Sequence, residues 1–350
     1  MTHDTPDPAT PAADTPPSEP TAFPGGLPDP DRLHAVLEDT ERRLDPANPE
    51  SAGHVTVLAY GEISAALTTD ELPGLVCKRM AGFPDEASVK IYRELVDEYL
   101  AEIATAGISV APTQAVAIRR PGRPPIVYLV QPRMDSQTLG NRLLHTTDEE
   151  GLATAIGAVL ARVAQLAQRS AGRQDGVEVA LDGQLSNWSF PPAGPAASSG
   201  PATPSGTGPV LIDVGTPFIR RDGRHRLDAR VILAPAPPGI RALLLRFVAD
   251  SYQDDYFVPR TVAVDLLGNF HKEGAANRIR VGLDVANDWL ESADIPGPRD
   301  PITPTEVDDY YRQDARLLGI FLQARRADRA IRTKLLRQDY DFLLPGTVRR

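Results

Sequence analysis

Near Asp135 the hydrophobic pattern of the chain changes period, and that change limits the folds open to it. Before it lie short runs rich in Val, Leu and Ala: VTVLAYGEISAALTT and GLVCKRM, separated by the turn-prone DELPG, then TQAVAIRR and PIVYLVQPR around the turn PGRPP. Runs of this length between turn signals predict strands. One stretch among them differs. Residues 86–106 place Tyr92, Leu95, Val96, Tyr99 and Ile103 on a common helical face, and Gly107 ends the pattern. Beyond Asp135, EEGLATAIGAVLARVAQLAQRS carries Leu152, Ile156, Val159, Val163 and Leu166 at spacings of three and four, and residues 239–257, 273–292 and 304–339 also read as helices. A β-rich first part with one helix, followed by a helix-rich second part, is an α+β arrangement of two lobes with a natural cleft between them.

The boundaries follow from composition. Residues 1–31 are Pro, Thr, Ala and Asp with almost nothing to bury, so a disordered tail is expected. Residues 32–134 form the first lobe, opening with the amphipathic DRLHAVLEDTERRL. Residues 135–350 form the helical lobe, with a low-complexity Pro/Gly/Ala/Ser excursion at 190–209. No internal repeat is visible. The formal charge of −10 argues against a nucleic-acid surface. A single cysteine, Cys77, excludes an internal disulfide framework, and six scattered histidines show no zinc-type spacing. No apolar run approaches the roughly 20 residues that cross a bilayer, and the N-terminus lacks a secretory pattern. A cytoplasmic location is expected, with no membrane contact and no sign of a protein partner. The basic segment ARRADRAIRTKLLR is expected to be a surface helix with Ile331, Leu335 and Leu336 packed on one side, a membrane-surface role being the lesser option.

Five features could carry chemistry, and each has a plainer reading alone. YGEIS offers Gly61 and Ser64 in a turn that could cover phosphate oxygens, though any hairpin turn has this composition. Lys78 lies inside a strand, on the opposite face from Cys77 and Arg79; an edge strand would also carry such a lysine. The helix at 86–106 offers Glu94 and Glu98, four apart, on what could equally be a solvated face. In LDGQLSNWSF, Asp182 could accept a proton and Asn187, five residues on, could ligate a hard cation, or both could decorate a polar turn. VLIDVG reads as a buried strand ending in Asp213 and Gly215, a pairing also common in turns. RRDGRHR at 220–226 reads as a polar hairpin, Trp188 and Trp289 as packing residues, and His271 falls between helices.

The five together, in this order, resemble the protein-kinase-like superfamily, closer to bacterial small-molecule kinases of the aminoglycoside-phosphotransferase type than to eukaryotic protein kinases. The likeness runs from about Val55 through Asp213. It implies a two-lobed protein-kinase-like fold with a small β-rich lobe and a larger helical one. Lys78 would contact the α- and β-phosphates of ATP and pair with Glu94, Glu98 being the other choice. Asp182 would be the catalytic base, Asn187 and Asp213 the Mg²⁺ ligands, and Gly61 with Ser64 the phosphate-covering turn; Gln131 to Met134 would line the adenine. The acceptor would be a hydroxyl on a small molecule. Three departures stand against this pattern: Ala180 and Leu181 replace the usual His and Arg or Gly before Asp182, the covering turn is poor in glycine, and the insertion stretches the interval from Asn187 to Asp213. The alternatives are a pseudokinase, binding nucleotide as a regulatory or partner-binding module without transfer, and an α+β scaffold with no nucleotide site.

Overall fold

The computed structural model describes residues 26–61, 63–191, 208–234, 236–247 and 253–344, so the Pro-rich tail before Gly26 and most of the 190–209 insertion lie outside the described residues. The first lobe opens with α1 (Pro30–Arg43), whose start is fixed by the Asp29 carboxylate accepting from the backbone N–H of Asp31 and by Pro30 in the first turn. Five antiparallel strands follow: β1 (Val55–Tyr60), β2 (Ser64–Thr69), β3 (Leu75–Met80), β4 (Gln114–Arg120) and β5 (Arg123–Pro132), in the order β1-β2-β3-β5-β4. Between β3 and β4 runs α2 (Glu86–Thr105), capped reciprocally by Asp85 and Ser88 and stopped by Gly107 at φ +74°.

The sheet has two differently used faces. Register pairs Lys78 with Ala66 and Leu129, and Met80 with Ser64 and Val127, so these side chains share the front face. Met80, Val127 and Leu129 join the buried face of α2 in a core that continues into the helical lobe. Arg79 and Cys77 lie on the back with Tyr128 and Val130, in a second core closed by Leu33 and Leu37 of α1 and by Leu343 from the far end of the chain.

The second part is helical: α3 (Gly140–Thr146), α4 (Glu149–Ala171), α5 (Ala229–Ile232), α6 (Pro238–Phe247), α7 (Pro259–Lys272), α8 (Ile279–Ser292) and α9 (Pro304–Ala330). Short strands β6 (Val177–Val179), β7 (Trp188–Ser189), β8 (Val210–Leu211), β9 (Ile219–Arg221) and β10 (Arg224–His225) interrupt it. α4 is long and apolar enough to cross a membrane by composition, contrary to the expectation from apolar run length, but its Leu152, Ile156, Val159 and Leu160 are core residues. Trp188 is fully buried in the same core.

The structure departs from the sequence expectations in three places. Residues 259–272 are a helix where none is expected, and His271 lies within it, bonded to Asp308 at 2.9 Å and stacked on Tyr311. Only Val210 and Leu211 of VLIDVG are strand, leaving Asp213 on a loop. The C-terminal helix ends early, passing through a wider turn at Ile331–Leu335 and reversing at Arg337 (φ +53°). The chain then crosses to the back of the sheet, where the Asp341 carboxylate meets Arg120 at 2.7 Å and also Arg123, and its carbonyl accepts from Arg79 at 2.6 Å. The segment 339–344 thus packs on the first lobe although it follows the helical one.

Candidate active site

Asp213 is placed by a two-strand ribbon. Pairing of Trp188 with Leu211 and of Ser189 with Val210 lays the segment after Asn187 alongside the segment before Asp213. The backbone N–H of Ile212 donates to the Asn187 carbonyl at 2.9 Å, so two residues distant in sequence become neighbours. The Asp213 carboxylate accepts from the Gly215 N–H at 2.9 Å and from Lys78 Nζ at 2.5 Å. Burial alone would raise the Asp213 carboxyl, but the Lys78 ammonium and the Gly215 N–H outweigh it and hold it below the ordinary aspartate range. Gly215 leaves room for this contact: a Cβ there would stand 3.1 Å from Lys78 Nζ and 3.3 Å from Asp213 Oδ1, so the pair would have to shift by a few tenths of an ångström.

Among the described residues Lys78 has no glutamate partner. Glu94 turns outward, its side chain 64% exposed, and its cation is Lys90 at 3.8 Å. Glu98 instead meets Arg221 and Arg226 at 3.3 Å each, pinning the β9–β10 hairpin whose turn carries Asp222 and Gly223 at positive φ. The expected pairing of Lys78 with Glu94, or with Glu98, is therefore corrected. The buried face of α2, through Val89, Tyr92, Val96 and Tyr99, is what turns toward the sheet and the second lobe, and the glutamates lie off it. In their place stands Tyr92, 2% exposed, whose hydroxyl donates to the Gly215 carbonyl at 2.8 Å and lies 3.0 Å from Met80 Sδ. One tyrosine thus links the helix, the lysine strand and the loop of Asp213.

The loop of Asp182 is supported by polar side chains that the motif reading missed. Ala180, standing where a histidine is usual, gives its N–H to the Phe218 carbonyl and its own carbonyl to the Tyr99 hydroxyl at 3.0 Å. Asp182 accepts from the Gln184 backbone N–H at 2.9 Å. The Gln184 side chain donates to Asp265 on α7 at 2.9 Å and accepts from Asn269 at 3.0 Å, while Tyr310 of α9 donates to the other Asp265 oxygen at 2.9 Å. Burial pushes the Asp182 carboxyl up to about 8, with the nearby Asp265 carboxylate adding to the effect and the Gln184 N–H opposing it. Burial raises Asp265 as well, against its two donors. A carboxyl raised by burial beside a second carboxylate is a setting in which an acid or base is found. A signal for Tyr92 and Tyr99 was present, since a buried phenol needs a partner; an aspartate inside the apolar run VAVDLLG was the corresponding signal for Asp265.

The remaining expected residues lie on the sheet of the first lobe and on the connection that leaves it. Gly61 donates its N–H to the Ser64 carbonyl at 2.9 Å across the hairpin between β1 and β2, and Ser64 lies on the front face one pair beyond Lys78. Gln131 is on that same face by register and donates to Thr113 at 2.8 Å; Met134 is half-buried on the connection from β5 to the second lobe. Among the described residues no group of three or more His, Cys, Asp and Glu side chains could hold a metal by itself. Of the two expected Mg²⁺ ligands, the structure brings the backbone of Asn187 next to that of Ile212, one residue before Asp213.

Comparison with curated protein sequences gives no match. Among solved structures the chain is similar to WaaP in complex with acyl carrier protein, at 14% identity and a TM-score of 0.30, covering 73% of this chain and 95% of that one. It is similar also to the GDP and kanamycin complex of APH(2")-IIia, at 10% identity and 0.28 over 68% and 93% of the chains. A third is amicoumacin kinase hAmiN in complex with AMP-PNP, Ca²⁺ and Ami, at 12% identity and 0.28 over 80% and 90%. Similarities this distant carry no argument about activity. The model of a family of unknown function, DUF6206, matches residues 40–330, and the protein belongs to that family.

Proposed function

We propose that the protein is a kinase-like phosphotransferase that uses ATP and Mg²⁺ to phosphorylate a hydroxyl of a small molecule. The observation that carries the reading is the meeting of Lys78 with Asp213 at 2.5 Å, beside the Asp182–Asn187 loop. In this reading the triphosphate lies between the lysine and the acidic loop, with Lys78 on its α- and β-phosphates. Asn187 and Asp213 would hold the cation, which would neutralise phosphate charge when bound. Gly61 and Ser64 cover the phosphates, and the stretch from Gln131 to Met134 borders the base. Asp182 takes the proton of the attacking hydroxyl as its oxygen bonds to the γ-phosphorus; the bond from that phosphorus to the bridging oxygen breaks, and ADP leaves with the electron pair. A carboxyl whose proton is held by burial would gain acidity once a cation binds nearby.

Thermal unfolding with ATP, with and without Mg²⁺, tests this. The wild type is expected to gain stability with ATP and metal together, and Asp213→Ala to lose that gain. No shift in the wild type sinks the nucleotide reading altogether. The pseudokinase reading draws on one observation, that Glu94 and Glu98 both pair with cations other than Lys78. A shift indifferent to metal and to Asp213→Ala would favour it.

A further inference from the structure

The C-terminal helix is expected from sequence to bury Ile331, Leu335 and Leu336, and it does not. Of the eight large hydrophobic side chains that stand exposed among the described residues, five are Leu317, Ile320, Ile331, Leu335 and Leu336, each between 50% and 76% exposed. Leu317, Ile320 and Ile331 recur at intervals of three and eleven, which at 3.6 residues per turn keeps them on one strip; Leu335 and Leu336 extend it through the wider turn. From Leu317 to Leu335 the strip runs about 27 Å at 1.5 Å per residue. Its helix is held to the body by other residues: Val307 is fully buried, Tyr311 stacks on His271, and Arg325 lies over the rings of Phe321 and Phe342. The strip is thus left over after the helix has docked.

Charge tells what could cover it. Residues 312–337 contain eight Arg and Lys against two Asp, within a chain of net charge −10. Arg316 and Lys334 flank the strip and Arg337 closes its end, all three on exposed positions. The strip contains Leu and Ile but no aromatic side chain of the kind that anchors protein interfaces. A long, narrow apolar strip rimmed by cations on long flexible stems matches a helix lying at a bilayer surface, with the stems reaching up to lipid phosphates.

We propose that this face docks the protein on an anionic lipid surface. The inference is independent of the nucleotide site. Co-sedimentation of the full chain with phosphatidylcholine vesicles, with and without phosphatidylglycerol, tests it. The protein is expected to pellet only with the phosphatidylglycerol vesicles, and less so as salt is raised. Lys334→Ala should weaken partitioning about fivefold, and Ile320→Asp or Leu335→Asp about tenfold or more; circular dichroism of these exposed-site variants should match the wild type. Failure to pellet with phosphatidylglycerol vesicles overturns the proposal, and so does binding that Ile320→Asp and Leu335→Asp leave unchanged. Sedimentation equilibrium supplies a further arm: a dimer that Leu335→Asp dissolves would assign the strip to a second copy instead.

Discussion

Lys78 and Asp213 lie 135 positions apart in sequence and share one hydrogen bond, so each is a direct test of the other. Removing the lysine leaves a mostly enclosed carboxylate without its cation. Lys78→Met should therefore lower the affinity for ATP and raise the Asp213 pKa, which carboxyl-carbon NMR can follow. Tyr92 offers a finer probe. Tyr92→Phe keeps the ring in its core and deletes the bond to the Gly215 carbonyl with the weaker contact to Met80 Sδ, a loss of about 1 to 2 kcal/mol in denaturant unfolding. Its effect on metal-dependent ATP binding should exceed that of a core substitution of similar cost, because Gly215 also donates to Asp213. Asp182 makes a prediction of opposite sign. Its folded pKa of about 8 lies above the unfolded value, so its contribution to stability is complete in acid and is lost as pH rises from about 4 through 8. Asp182→Asn should leave stability little changed in acid and raise it by about 1 to 2 kcal/mol in alkali, while abolishing any phosphoryl transfer. A melting-temperature series against pH for both proteins checks the slope.

At the scale of elements, close approaches decide what each piece can tolerate. α3 begins at Gly140, where a Cβ would fall 1.9 Å from the Leu185 carbonyl oxygen of the Asp182 loop. Gly140→Val should displace that loop at a cost of about 2 to 3 kcal/mol, and ATP affinity should fall with it, measurable by calorimetry. Glycine explains the hidden α7 as well. Gly268 weakens the helical pattern in sequence, and in the fold it lets α9 pack close, since a Cβ there would stand 3.0 Å from the Tyr310 ring. The same tyrosine bonds Asp265, which also accepts from Gln184 of the Asp182 loop, so packing of α9 on α7 and support of the candidate base share one residue. The outward face of α2 failed as a guide to Glu94 for a related reason: helical period says which residues share a face but not which neighbour that face will meet.

Over the whole molecule, the two ends of the described chain converge behind the lysine strand. Arg79, next to Lys78 and fully buried on the other face, holds Glu41 of α1 through two nitrogens at 2.8 and 2.7 Å and the Asp341 carbonyl at 2.6 Å; Tyr128 adds a bond to Glu41 at 2.7 Å. Burial opposes the charged form of Glu41, and the Arg79 cation with the bonds from Arg79 and Tyr128 overcomes it, so the carboxyl stays below its ordinary range. A lowered pKa contributes stability above the unfolded value and loses it as pH falls. Glu41→Ala should therefore cost about 3 to 5 kcal/mol at neutral pH, by stranding a buried arginine, and the deficit should shrink in acid. Denaturant unfolding at both pH values measures it.

Alternating and helical periods in the sequence were enough for the five strands, α1, α2 and α4, because those periods are imposed by burial of one face and need only near neighbours in the chain. The spacing of Asp182, Asn187 and Asp213 behind a strand lysine singled out Lys78 and Asp213, which the fold joins by a hydrogen bond. Tertiary structure alone decided that Tyr92 rather than Glu94 faces the lysine strand, that Gln184, Asp265 and Tyr310 hold the Asp182 loop, and that residues 339–344 return to the first lobe. Each of these depends on which surfaces meet across long separations, and a side chain's partner there is set by the angle at which elements pack, a quantity that no local period contains.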